Sequence, residues 1–61
     1  MKISLRAARI NAGFTQAEAA KRLFIGVSTL QGYECGRHVP RLDIVNQMTE
    51  VYAIQIQNLK V

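Results

Sequence analysis

The side chains in this sequence that can do chemistry suit holding a polyanion rather than making or breaking bonds. Gln16 sits in what reads as the first turn of a helix, where free backbone amides and its own carboxamide can hold a phosphate. Ser28 can donate to or accept from a base edge, and Val27 can pack on a thymine methyl, with Thr29 and Gln31 nearby. Gly32, on the same stretch, offers no side chain. Arg37, His38 and Arg41 then concentrate cationic and titratable groups in a short segment, with Lys2 and Arg6 as further cations upstream. The bland reading of each stands beside this one. Gln16 also fits a solvated first-turn residue, Ser28 and Thr29 also fit polar groups that stabilise a helix start, and a lone His is commonly plain surface. Catalysis finds no such set. One His, one Cys and four carboxylates offer no spacing that assembles a nucleophile, a base and an orienting group. No Cys/His cluster suggests a metal, and no cofactor is expected.

These residues need helices to position them. Thr15-Gln16-Ala17-Glu18 has the form of a capping box, a hydroxyl starting a helix with Glu18 reaching back three positions. That helix is expected over about 15–23. Phe24-Ile25-Gly26 breaks it, and a second short helix is expected over about 27–35, with Leu30 and Tyr33 on one face and Gly36 as its stop. Two short helices this close in sequence must cross and pack, an arrangement able to present the second to a DNA major groove. Before them, Leu5, Ala8, Arg9 and Ala12 share one face of a helix over about 3–12 that stops at Gly13. After them, Pro40 permits a helix over about 42–52, lined on one side by Leu42, Val45, Met48, Thr49 and Tyr52. The alternation in Ile54-Gln55-Ile56-Gln57-Asn58-Leu59 is strand-like, but a lone strand has no evident partner. A short helix at about 56–60 is therefore the expectation.

Sixty-one residues with 49% apolar content make one domain, 1–61, and a chain this short buries only about 60% of its unfolded surface. The expected class is all-α, a compact bundle of four to five helices. Eight basic against four acidic residues give a net charge of +4 and a pI near 9.9, a surplus that favours polyanions and equally fits a solvated basic surface. No run approaches the roughly 20 apolar residues of a membrane span. Arg6, Arg9 and Asn11 interrupt any signal-peptide core, and an unpaired Cys35 fits a reducing compartment, so a cytoplasmic location is expected.

The ordered set Leu5-Arg6 with Arg9, Gly13-Phe14-Thr15-Gln16, Glu18, Ala20, Leu23, Leu30, Tyr33-Glu34, Gly36 and Pro40, continuing into Leu42, Val45, Met48 and Ile54, resembles the lambda-repressor-like (Cro-type, XRE-family) helix-turn-helix domains over nearly the whole chain. The resemblance implies a bacterial or phage-type regulator bound to double-stranded DNA. Gln16 would act at the DNA, and the helix at about 27–35 would read the groove through Val27, Ser28 and Gly32, with Thr29 and Gln31 beside them. Arg37, His38 and Arg41 would run along the sugar-phosphate backbone. It also implies an internal ion pair between Arg9 and Glu34, which removes Arg9 from the DNA contacts, and a close helix crossing at Ala20.

Several positions depart from that pattern. Phe24 stands where such domains usually place glycine, so the turn is either strained at Phe24 or rebuilt around Gly26. Ala19 replaces a larger residue, which either loosens the core there or leaves a gap for Phe24 to fill, and Ala53 and Gln55 replace the usual glycine and cap before the tail. The reading surface is sparse, without a long side chain placed for bidentate base contacts, so either the helix backbone approaches the groove closely or specificity leans on shape and on phosphate contacts. Ile44, Val51 and Ile56 lack an evident place in the core and suit either packing or a homodimer patch, and a dimer would cover both halves of a near-palindromic site. The reading from another class is a protein-interaction module, such as an antitoxin or assembly adaptor, that uses the helices as a scaffold.

Overall fold

The computed structural model describes residues 2–60 and holds four α-helices, α1 (Leu5–Asn11), α2 (Gln16–Leu23), α3 (Val27–Glu34) and α4 (Leu42–Val51). The outer bounds of the expected domain, Met1 and Val61, lie outside the described residues. The expected capping box forms at the start of α2: Thr15 Oγ1 accepts from the Glu18 amide at 3.1 Å, and Glu18 Oε1 accepts from the Thr15 amide at 2.9 Å. Hydrogen bonding from Thr15 to the Glu18 carboxyl, by the backbone amide first and the hydroxyl second, holds that carboxyl below the usual carboxylate range.

The termini differ from the expectation. Ile3–Ser4 forms a strand, β1, rather than the first turn of α1, which begins at Leu5 with Ser4 Oγ capping the Ala7 amide at 3.1 Å. In the tail a 3₁₀ turn at Ile56–Asn58 leads into a second strand, β2 (Leu59–Lys60), in place of a helix over 56–60. The missing partner for a strand-like tail is thus the other end of the chain: β1 and β2 pair in parallel, Ile3 with Leu59 and Ser4 with Lys60. This two-residue ladder seals the helical bundle and buries Leu59.

The core is drawn from every helix. Leu5 and Ala8 of α1, Ala19, Ala20 and Leu23 of α2, Leu30 of α3, and Val45 and Met48 of α4 join Tyr52 and Leu59 in one buried cluster. Small side chains at Ala19 and Ala20 let α2 lie close to α3 and α4. Leu42, expected on the core side of α4, is 68% exposed, because the helix's apolar stripe starts one turn later at Val45. Ile44 and Val51 are half-buried and pack against the core, leaving Ile56 as the exposed member of the three residues considered for a dimer patch. Phe24 does not fill the space beside Ala19, which is already closed; the phenylalanine is 88% exposed.

All four helices end on a residue in left-handed backbone: Gly13 (φ 85°), Phe24 (φ 58°), Gly36 (φ 81°) and Ala53 (φ 53°). The turn between α2 and α3 is therefore strained at Phe24 and not rebuilt around Gly26, whose φ is an ordinary −75°. A side chain in this region costs roughly 1–2 kcal/mol relative to glycine.

Candidate nucleic-acid interface

The site is built on α3 and framed by α1 and α2. Arg9, on the apolar side of α1, is buried and points at α3, where its Nε donates to Glu34 Oε2 at 2.7 Å and a terminal nitrogen donates to Glu34 Oε1 at 3.4 Å. The other terminal nitrogen donates to the Phe14 carbonyl at 2.9 Å, which ties the α1–α2 corner to the same guanidinium. Both members of the pair are largely desolvated, so each depends on the other for its charge to be tolerated. The ion pair implied by the resemblance is formed, and Arg9 is engaged by it and by the Phe14 carbonyl.

Gln16 extends this pair into a chain. Its carboxamide nitrogen donates to Glu34 Oε1 at 3.1 Å, and its oxygen accepts from Gln31 Nε2 at 3.1 Å. The sequence reading placed Gln16 against a phosphate and Gln31 beside the reading residues. In the structure the two side chains meet each other, so the first turn of α2 is registered against the middle of α3. No spacing in the sequence links positions 9, 16, 31 and 34; the link comes from the crossing of the helices.

Two clefts flank α3. One is lined by Arg6, Thr15, Gln16, Gln31, Cys35 and Arg37 above the Arg9–Glu34 pair. The other is lined by Ser28, Thr29, Tyr33, Arg37, His38 and Arg41, with Val39 at its edge. Arg37 borders both. Val27, Ser28 and Gln31 are exposed, Gln31 on the first cleft and Ser28 on the second; Thr29 is half-buried, and Leu30 faces inward and is fully buried. The first cleft adds Arg6, which the sequence reading ranked behind Arg37, His38 and Arg41. Gly32 is buried rather than open to the surface, because the His38 imidazole covers it. Arg41 serves as the residue preceding α4, and its exposed guanidinium lies 4.0 Å from the equally exposed Asp43, a pairing that contributes little in water.

Behind this surface the Tyr52 ring packs on Phe14 at 6.3 Å, and its buried hydroxyl has no hydrogen-bond partner among the described residues. Burial first, and then the negative charge of Glu34, push the phenol up to about 12, with Arg9 acting in the opposite direction. Among the described residues no group of His, Cys, Asp and Glu could hold a metal ion. No described helix is long and apolar enough to cross a membrane.

The sequence matches the family model described as a helix-turn-helix domain over residues 3–59, which spans both clefts, all four helices and β1. No curated protein and no solved structure matches the chain.

Proposed function

Because the chain belongs to the helix-turn-helix domain family, a family that points to DNA binding, we propose that it is a transcriptional regulator, acting as a repressor, that binds a specific duplex sequence by laying α3 in the major groove. The observation that carries the reading is the pair of clefts sharing Arg37. A helix with exposed Val27, Ser28 and Gln31 lies between one cleft bearing Arg6 and another bearing His38 and Arg41. Cations on both sides of a reading helix match the two phosphate backbones that border a groove. Among the described residues that line the two clefts the one carboxylate, Glu34, is neutralised internally by Arg9. The free amides at the start of α2, beside Gln16, supply a further phosphate contact.

One domain of this size covers one half-site, so a homodimer on a near-palindromic site completes the reading, with Ile56 the exposed member of the set Ile44, Val51 and Ile56 considered for the contact. The test is selection from random duplex pools at two salt concentrations, with mass by light scattering. The expected result is one enriched palindrome, a dimeric mass on DNA and a log-log salt slope of about 0.9 per phosphate contacted.

The second reading, a protein-interaction module such as an antitoxin or assembly adaptor, is favoured by Phe24, an aromatic ring held almost wholly in solvent. It requires tight partner binding and negligible salt-dependent affinity for DNA.

A further inference from the structure

The surface of α3 has a gap where the second turn of a reading helix would carry a side chain. Gly32 lies four residues after Ser28, so the two share a helix face. A Cβ on Gly32 would meet the His38 imidazole, with Cδ2 at 2.6 Å, Nε2 at 3.5 Å and Cγ at 3.6 Å. The ring therefore occupies the direction in which a residue-32 side chain would leave the helix. It is held there by the backbone. The amides of Arg37 and His38 both donate to the Gly32 carbonyl, at 2.9 and 3.2 Å, and Cys35 Sγ lies 3.6 Å from the same oxygen. Left-handed Gly36 (φ 81°) allows the chain to double back in this way. His38 remains exposed, its Nδ1–Cε1 edge the one farther from Gly32, and it lines the cleft that also holds Ser28 and Thr29.

We propose that His38 supplies the side chain that Gly32 lacks, and reads a purine N7 in the major groove by an imidazole N–H donor, one helical turn from the base met by Ser28. This rests on the DNA-binding reading above and changes the part played by His38 within it, from a backbone contact to a specificity-determining one. Two residues distant from each other on the helix-plus-loop segment thereby act as one reading position: the glycine makes the notch and the histidine fills it.

The test is base preference, measured by duplex selection and then by titration of duplexes differing at one base pair, for the wild type, His38→Ala and Gly32→Ala at two salt concentrations. His38→Ala is expected to lose about tenfold discrimination at a single base pair with the salt slope unchanged. Gly32→Ala is expected to lose discrimination at the same base pair, because its methyl displaces the ring. Both variants should melt cooperatively, since His38 is exposed and alanine is the better helix former. A uniform loss of affinity with a shallower salt slope in His38→Ala would make the residue a phosphate contact and overturn the proposal. So would full retention of the preference in either variant. A wild type without any sequence preference would overturn this proposal and the DNA-binding reading together, whereas a selective wild type whose variants keep the same preference would overturn this proposal alone.

Discussion

The two ends of α3 use the same backbone device with opposite side chains. The chain enters α3 through Phe24 and leaves it through Gly36, both left-handed. Each end is closed by matching bonds: Phe24 N–H to Lys21 O at 3.3 Å and Ile25 N–H to Ala20 O at 3.0 Å on entry, Gly36 N–H to Tyr33 O at 3.4 Å and Arg37 N–H to Gly32 O at 2.9 Å on exit. At the exit, glycine adopts this geometry freely, and the neighbouring side chains are engaged: Glu34 with Arg9 and Gln16, His38 against Gly32. At the entry, a bulky residue is held in an unfavourable region with its ring in water, and Gly26 offers no side-chain cap to α3. Among the described residues the start of α3 thus has no side-chain hydrogen bond and rests on backbone bonds and packing through Leu23 and Leu30, whereas its end is also held by directed side-chain bonds. A helix anchored at one end by hydrogen bonds and at the other by a core can keep its direction while its first turn stays open for a ligand.

The largest effect should come from breaking the polar anchor. Arg9→Met leaves Glu34 desolvated without its cation and is expected to cost about 3–5 kcal/mol, a large part of the stability of so small a domain. Adding Glu34→Gln should return part of that loss, and a double-mutant cycle by denaturant unfolding measures the coupling; zero coupling would dissolve the contrast drawn between the two ends. Next comes the packed end. Ala20→Leu forces a larger side chain into the α2–α3 crossing and should lower stability by about 1–3 kcal/mol and weaken DNA binding with it. Unchanged melting together with unchanged binding would show that the crossing does not set the direction of α3.

Relieving strain works in the other direction. Phe24→Gly should raise stability by about 1 kcal/mol, read as an upward Tm shift of several degrees. A fall instead would mean that the exposed ring makes contacts that hold the turn. Smaller still, Gly26→Ser should add a few tenths of a kcal/mol by giving α3 a side-chain cap. The last effect emerges only in alkaline solution. Tyr52 loses its proton less readily when folded, with its phenol raised to about 12, so the neutral phenol's contribution is complete below the unfolded value near 10. It is lost as pH rises toward 12. Ultraviolet titration of phenolate should show Tyr52 ionising together with unfolding; ionisation near pH 10 in the folded state would contradict the buried placement behind Glu34.

Much of the scaffold was legible from short-range pattern. The capping box at Thr15–Glu18 needs only residues three apart, and Gly13, Gly36 and Pro40 punctuate helices through their own backbone preferences. The stripe of Val45, Met48 and Tyr52 follows from the helical period. Resemblance added the Arg9–Glu34 pair, which no local rule connects. Other features depended on how distant segments meet. The tail became a strand because Ile3 and Ser4 lie beside it, 56 residues away in register. Gln16 turned to Glu34 and Gln31 because α2 crosses α3 there. Phe24 stayed outside because Ala19 and Ala20 already close the space within. His38 settled on Gly32 because two amides double the chain back onto one carbonyl. Sequence alone determined the caps and stops of α2, α3 and α4 and most of their inward faces, since those choices depend on residues within one or two turns. Only the tertiary structure decided which polar groups were occupied and which were left open on α3, since that depends on contacts made once the core has brought remote residues together.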